Sequence, residues 1–236
     1  MLSRSQGGES YFKGKVMNNS REDGDPIALV DLDRTLCDHD DGLHNGVEHE
    51  WKEGRLMGMN DLASQDEKMF NLWDDDVPSY VKNRMRIVRS QEGWWRNLKK
   101  IPQGFEVFDL LVEAGFSICI TSKAAWTSEN SWTEKFQWCR RNLQSSIVES
   151  DRFDMNTTTE KSIVYGKILF DDYVGFVEPW LEQRSRGLVI MPALPHNDGF
   201  EHPNVVKYDG TTESYAIVKN AIQTAYARGH KEPLVL

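Results

Sequence analysis

A short apolar run that ends in two aspartates constrains the fold of this chain more than any other feature. The run covers residues 27–30 and leads directly into Asp31 and Asp33, with Thr35 two positions further on. An uninterrupted apolar segment of this length is typical of a strand buried on both faces of a parallel sheet. Because open α/β sheets bind ligands beyond the carboxyl ends of their strands, both carboxylates are predicted to lie in a binding site.

The pair of carboxylates also indicates a chemistry. Held close together, the two groups repel, and each raises the pKa of the other. A divalent cation relieves this repulsion, and Mg²⁺ is typically held by one or two carboxylates together with waters and phosphate oxygens. One aspartate could then attack phosphorus while the other transfers protons. The residues alone leave a second interpretation open, a solvated turn in which Asp33 caps a helix.

Chain length and net charge limit the number of domains and the kinds of partner that this protein can have. The chain has 236 residues, of which 39% are hydrophobic, so it can form one large domain or a core with a smaller insertion. Its net charge of -9 disfavours a surface for extended nucleic acid. A metal ion and one lysine can still reverse the sign of the charge locally. A small phosphorylated partner is therefore compatible with this composition.

The cysteine content and the hydropathy of the chain indicate its cellular location. The three cysteines are an odd number and form no C-x-x-C pair, which argues against a disulfide framework and a cysteine zinc site. No apolar run approaches the roughly 18 residues of a membrane span, and no signal peptide is recognisable. We therefore predict a cytoplasmic protein that does not associate with a membrane.

The chain divides into three regions by composition. Residues 1–26 are predicted to be a poorly ordered extension, because apolar residues are few there. Residues 38–92 show helical periodicity and are predicted to be a cap inserted after the first strand, with 38–44 as a solvated loop. Residues 27–37 and 93–236 would form the core.

Alternating strand and helix patterns predict an α/β core with a parallel sheet. The predicted elements after the cap are strands over residues 116–120, 147–148, 167–172 and 187–191, and helices over 104–114, 128–143 and 213–228. Thr121 and Ser122 follow the first of these strands, where their hydroxyls could donate to a phosphate or cap a helix. Lys161 precedes the strand that ends in Asp171 and Asp172, and a solvated lysine is the alternative.

The order of these residues resembles the four motifs of haloacid dehalogenase-like phosphohydrolases. In chain order the motifs are Asp-x-Asp-x-Thr, Thr-Ser, a lysine and Asp-Asp. Residues 93–104, 118–122, 161–172 and 188–197 are similar to the corresponding stretches of 5'(3')-deoxyribonucleotidases. The resemblance covers roughly residues 27–200 and is loose through the cap. It implies a Rossmann-like three-layer core with a helical cap.

The resemblance also implies catalytic roles. Asp31 would be the nucleophile that forms an aspartyl-phosphate, and Asp33 would protonate the leaving nucleoside oxygen and then activate water. Thr121 and Ser122 would hold the phosphoryl oxygens, and Lys161 would neutralise the developing charge.

The same resemblance implies a magnesium cofactor. Mg²⁺ would be held by Asp31, the main-chain carbonyl of Asp33, and Asp172, with Asp171 as a further candidate ligand. The expected reaction is Mg²⁺-dependent hydrolysis of (deoxy)ribonucleoside monophosphates. Another small phosphorylated metabolite, a nucleic-acid 3'-phosphate and a non-catalytic phosphate-binding protein are the alternatives, and a homo-oligomer is left open.

Three departures from the family pattern bear on the substrate. Arg34 stands where a glycine is common, Trp94 and Trp95 replace a phenylalanine pair, and Thr159 replaces an arginine. The tryptophan pair could pack between cap and core or stack on a base. The base and sugar preference therefore stays open.

Overall fold

The computed structural model describes residues 25–52 and 79–229. The predicted N-terminal extension thus lies almost entirely outside the described residues, as does the middle of the predicted cap. Among the described residues, no helix combines the length and the hydropathy that a membrane span requires.

A six-stranded, all-parallel sheet forms the centre of the fold, in the order β3-β2-β1-β4-β5-β6. Its strands are β1 (Ile27–Val30), β2 (Ser117–Ser122), β3 (Phe153–Thr157), β4 (Ile168–Phe170), β5 (Leu188–Pro192) and β6 (Val205–Tyr208). The strand order changes direction between β1 and β4. Clefts for ligands in α/β sheets form at such switch points. The acids that follow β1 and β4 therefore meet there.

Helices cover both faces of this sheet. They are α1 (His39–Lys52), α2 (Ser79–Arg89), α3 (Pro102–Ala114), α4 (Asn130–Asn142), α5 (Ser145–Val148), α6 (Val174–Gln183) and α7 (Thr212–Ala227), with 3-10 turns at Trp95–Asn97, Lys161–Ile163 and Pro195–Asn197. Strand β1 shows how the layers separate, because Ala28 and Val30 join the core under α3 and α7, whereas Leu29 joins the core under α6. This alternation defines three layers and confirms the predicted α/β fold.

The two edges of the sheet differ from the sequence prediction. Strands β3 and β6 were not predicted, and residues 147–148, predicted as a strand, lie in the short helix α5. An edge strand pairs with one neighbouring strand only, and no residue of β3 is fully buried. A polar, half-buried segment such as Phe153–Thr157 therefore lacks the apolar run that identifies an inner strand.

The segment after the first strand is also more ordered than predicted. Helix α1 begins at His39, which is buried, rather than after a solvated loop over residues 38–44. Asp38 accepts a hydrogen bond from the Asp41 amide at 3.0 Å, as an N-cap does. Asp40 and Asp41 lie in the first turn, where negative charge favours the helix.

Close packing joins α1 to α2. A Cβ on Gly46 would lie 2.4 Å from a methyl carbon of Val88, so only glycine permits this approach. Leu43, Met85 and Val88 are buried beside it. These two helices belong to the region predicted as a cap, and its identity as a separate domain stays a prediction.

Candidate active site

A tight loop places the first two aspartates at the end of β1. The Asp31 amide donates to the carbonyl of Phe170 at 2.9 Å, so the chain keeps sheet register through this residue. The loop then closes through two bonds of 2.8 Å from Leu36 and Cys37 amides to the Leu32 carbonyl. Arg34 adopts the left-handed conformation, with φ of 61°. A glycine is common at this position because that conformation suits it.

Lys161 joins two strand ends through a buried ion pair. Its Nζ lies 2.6 Å from Asp31 Oδ1 and 2.6 Å from Asp171 Oδ2. Burial alone would lower the pKa of Lys161, but Asp171 and Asp31 outweigh burial and raise it above its ordinary value. The lysine is therefore charged at neutral pH and is not the solvated residue of the alternative interpretation.

Three buried carboxylates form a candidate metal centre. Asp31, Asp171 and Asp172 each offer an oxygen, and these oxygens lie within 4.8 Å of one another. Burial raises the pKa of Asp31 to about 6, with Asp171 and Asp33 adding to the effect and Lys161 opposing it. Burial also raises the pKa values of Asp171 and Asp172. An all-oxygen, anionic donor set of this kind fits a hard divalent cation such as Mg²⁺.

The turn after β5 fixes Asp172. His196 Nε2 lies 2.9 Å from Asp172 Oδ2, and Asn197 Nδ2 donates to the Asp172 carbonyl at 2.9 Å. Such neighbours orient metal-binding carboxylates. Residues 188–197 resemble the family in sequence, but no local pattern predicted a role for His196 or Asn197.

Asp33 faces a second lysine, Lys135, which was not among the predicted site residues. Lys135 Nζ lies 2.7 Å from Asp33 Oδ2 and also donates to Ser122 Oγ at 3.0 Å. Burial alone would raise the pKa of Asp33, but Lys135 and then His39 outweigh it, so this pKa lies below its ordinary value. The Asp33 carboxylate lies outside the three-acid cluster. Only its main-chain carbonyl was implied as a metal ligand.

A pattern on α4 could have indicated Lys135. Glu134 and Lys135 lie on the buried face of the helix with Trp138 and Cys139. Charged residues are rarely buried unless they are paired. Glu134 accepts hydrogen bonds from the amides of Gly93 and Trp95 at 2.6 and 3.1 Å. Two adjacent charged residues on the buried face of a helix thus indicate that each has a polar partner inside the protein.

The predicted hydroxyl pair lies at the end of β2, but it is turned inward. Thr121 and Ser122 are fully buried. Thr121 Oγ1 donates to the Cys119 carbonyl at 3.4 Å, and Ser122 Oγ accepts from Lys135. The cavity wall on this side is formed by the residues that follow, Lys123 and Ala124.

Asp31, Asp33 and Asp172 line a cavity of about 230 Å³, whereas Asp171 is buried behind them in the ion pair with Lys161. The residues that line this cavity are Asp31, Asp33, Arg34, His39, Arg89, Trp95, Lys123, Ala124, Ala125, Trp126, Thr127, Asp172, Tyr173 and Phe176. Trp95 is buried and donates from Nε1 to the Arg89 carbonyl at 3.0 Å, while Trp94 donates to the Gly42 carbonyl at 3.1 Å. The tryptophan pair therefore packs the core against α1 and α2, and Trp95 also faces the cavity.

Solved structures share this fold. A "putative haloacid dehalogenase-like hydrolase" from Burkholderia xenovorans matches 83% of this chain and 95% of its own, with a TM-score of 0.51 and 13% identity. A "putative HAD-hydrolase YfnB" from Bacillus subtilis, bound to magnesium, matches 82% and 98%, with a TM-score of 0.51 and 12% identity. The chain therefore shares the fold of haloacid dehalogenase-like hydrolases.

Sequence comparisons narrow the class. A "Putative 5'(3')-deoxyribonucleotidase" from Bordetella bronchiseptica is 25% identical over 146 residues, which are 62% of this chain and 73% of that protein. Residues 25–221 match the model of the family described as 5' nucleotidase, deoxy (pyrimidine), cytosolic type C protein. The chain belongs to this family. It is a phosphatase of the deoxyribonucleotidase-like kind, as the motif order predicted.

Proposed function

We propose that this protein hydrolyses (deoxy)ribonucleoside monophosphates with the help of Mg²⁺ and through an aspartyl-phosphate on Asp31. The observation that carries the proposal is the meeting of Lys161, Asp31, Asp171 and Asp172 at the switch point between β1 and β4. The family description and the name of the Bordetella relative support a nucleotide substrate.

The first step is attack on phosphorus by Asp31. Lys161 binds Oδ1 of this carboxylate, which leaves Oδ2 for the attack. The new bond joins Oδ2 to phosphorus while the ester P–O bond breaks, and Asp33 gives its proton to the departing oxygen. Mg²⁺, when bound by Asp31, Asp171, Asp172 and the Asp33 carbonyl, would neutralise phosphoryl charge.

The second step is hydrolysis of the aspartyl-phosphate. Asp33, now ionised, takes a proton from a water molecule that attacks phosphorus, and the bond to Asp31 breaks to release inorganic phosphate. The ion pair with Lys135 stabilises the ionised form of Asp33 and thus suits this step. A phosphate dianion beside Asp33 would raise the pKa of this residue, as the first step requires.

The substrate class and the nucleophile can be tested together. We expect the Mg²⁺-loaded protein to release phosphate from nucleoside monophosphates faster than from sugar phosphates, and Asp31→Asn to reduce the rate by about 10³-fold or more, because no nucleophile remains. Asp154→Asn, an exposed residue on the edge strand β3, is the matched control. Equal release by wild type and Asp31→Asn would refute the proposal.

We further propose that residues 38–92 form a cap over the core comprising residues 27–37 and 93–236. His39 and Arg89, at the two ends of this region, both line the cavity, as a cap requires. A cytosolic location is proposed from the family description alone.

A further inference from the structure

A half-buried arginine at the end of α2 faces the reaction centre. Arg89 is the last residue of this helix and lines the cavity together with Asp31, Asp33 and Asp172. Its Nε is buried without a hydrogen-bond partner, and within residues 25–52 and 79–229 its side chain forms no ion pair. Burying a charged donor without a partner is costly. The guanidinium therefore has donors available for a ligand in the cavity.

The backbone of Arg89 is fixed independently of its side chain. Its carbonyl accepts hydrogen bonds from Trp95 Nε1 at 3.0 Å and from Ser128 Oγ at 2.9 Å. Both bonds link the end of α2 to the core and would persist if the side chain were replaced. The backbone thus holds the guanidinium at the cavity. A substitution of Arg89 therefore measures the contribution of the side chain to ligand binding without disturbing these backbone bonds.

Charge balance indicates what kind of ligand suits this residue. Four carboxylates and two ammonium groups form the ion-paired centre of the site: Asp31, Asp33, Asp171, Asp172, Lys135 and Lys161. Arg34, which pairs with Asp40 at 2.8 Å, and Lys123 also line the cavity. One divalent cation would balance the four carboxylates and two ammonium groups. The phosphoryl dianion of a substrate then brings negative charge that these groups do not offset. A guanidinium on the same cavity can bind two phosphate oxygens through parallel N–H donors.

A purely structural role for Arg89 predicts something different. Cations near a helix C-terminus are stabilised by the helix dipole, and α2 carries both Arg86 and Arg89 in its last turn. Arg86 is exposed, however, whereas burial lowers the pKa of Arg89 while Asp33 opposes the shift. The helix dipole explains why a cation is favourable at either position. It does not explain why, of the two, Arg89 is the one that is half-buried and lines the cavity with the aspartates.

We propose that Arg89 binds the phosphoryl oxygens of the incoming phosphomonoester and of the product phosphate. The inference rests on the proposed function insofar as the ligand is a phosphomonoester. It makes Arg89 a substrate-binding residue supplied by α2, outside the four motifs.

The test compares Arg89→Met and Arg89→Lys with the matched control Arg86→Met. Inorganic phosphate is titrated calorimetrically into the full-length, Mg²⁺-loaded protein, and KM is measured for deoxyuridine 5'-monophosphate. We expect Arg89→Met to weaken phosphate binding and raise KM by about 10- to 100-fold, the range for loss of a hydrogen bond to a charged group. Arg89→Lys should lose less, and Arg86→Met should stay within about twofold of wild type.

Phosphate affinity within about twofold of wild type in Arg89→Met overturns the proposal, whatever happens to kcat. If wild type binds phosphate but hydrolyses no nucleotide, the proposed function fails while the titration still decides the role of Arg89. Should Arg89→Met not fold, Arg89→Gln is titrated in its place under the same criterion.

Discussion

At the scale of residues, the site contains two lysines, and each forms an ion pair with a different aspartate. The pKa values of these two aspartates shift in opposite directions. Lys161 is fully buried and bridges Asp31 and Asp171, whereas Lys135 pairs with Asp33. The pKa of Asp31 is raised by burial to about 6, and that of Asp33 is lowered by its lysine partner despite burial. The ionised Asp33 suits the base of the second step, whereas Asp31 is an ionised nucleophile only above about pH 6 unless a bound cation lowers its pKa.

Replacing Lys135 should change the pH dependence of the reaction. The folded-state pKa of Asp33 lies below its ordinary value, so the ion pair stabilises the protein above that value and is lost as pH falls through the folded-state pKa. In Lys135→Met the carboxylate should stay protonated to higher pH. Because Asp33 must be ionised to activate water in the second step, we expect the acidic limb of the kcat profile to move to higher pH and kcat to fall by about 10- to 100-fold.

The control for this prediction is Lys219→Met, which removes an exposed lysine from α7. Its pH profile should match that of wild type. An unshifted acidic limb in Lys135→Met would show that Lys135 does not control the ionisation of Asp33.

The sequence predicted the residues at strand ends but missed those on helix faces. Asp31, Lys161 and Asp172 could be assigned because their motifs follow or precede recognisable strands. Lys135 and Arg89 could not be identified, because their positions at the site depend on how α4 and α2 are rotated. The rotation of each helix about its axis is fixed by contacts between separate segments of the chain, such as the hydrogen bond from Trp95 to the Arg89 carbonyl. Local sequence patterns do not encode such contacts.

At the scale of elements, one close contact connects helix α3 to the catalytic loop. A Cβ on Gly104 would lie 1.9 Å from the carbonyl oxygen of Thr35, which belongs to the loop between Asp33 and Cys37. Because the obstacle is backbone, a side chain here cannot be accommodated by a rotamer change. The first turn of α3 therefore constrains the position of Asp33.

Gly104→Ala should damage both stability and activity. The loop and the helix must separate, at a cost of about 1–3 kcal/mol for overpacking in a tightly packed interior. We expect a lower free energy of unfolding in urea and a fall in kcat of at least about tenfold, because small displacements of catalytic groups are costly.

Gly199→Ala is the matched control, since an added Cβ at Gly199 meets nothing within 4 Å. It should leave stability and kcat unchanged. Activity and stability of Gly104→Ala equal to those of Gly199→Ala would contradict the close approach.

The edges and the centre of the sheet were not equally predictable. Strands β1, β2, β4 and β5 are buried on both faces and carry continuous apolar runs, so the pattern identified them. β3 and β6 lie at the two edges, and local sequence there is compatible with strand or loop. Pairing with the neighbouring strand decides between the two states.

At the scale of the whole molecule, the acidic centre couples folding stability to metal and pH. The folded-state pKa of Asp31 lies above its ordinary value, so its charged form is less favourable in the folded protein. Without a metal, this group therefore reduces stability as pH rises through about 6. A divalent cation that binds only the folded state reverses the effect.

We expect Mg²⁺ to raise the melting temperature at pH 7.5 much more than at pH 5, because protons compete for the Asp31 carboxylate below about pH 6. Thermal denaturation in EDTA and in excess Mg²⁺ at the two pH values measures this difference. Asp172→Asn should shrink the Mg²⁺-dependent increase at pH 7.5. A Mg²⁺ effect of equal size at both pH values would exclude binding through these carboxylates.

The bonds that tie the Arg89 carbonyl to Trp95 and Ser128 also bear on ligand exchange. Swinging α2 outward would break both, at about 1–3 kcal/mol for the two lost hydrogen bonds, and would leave the Trp95 indole N–H with its longer contact to Ser128 Oγ at 3.4 Å. Trp126, which also lines the cavity, is 79% exposed. Its ring packs edge-to-face on that of Trp132, with 6.2 Å between the ring centroids. Exposed side chains reorient within nanoseconds, far faster than helices move. Reorientation of the Trp126 side chain is therefore expected to cost less free energy than an outward movement of α2.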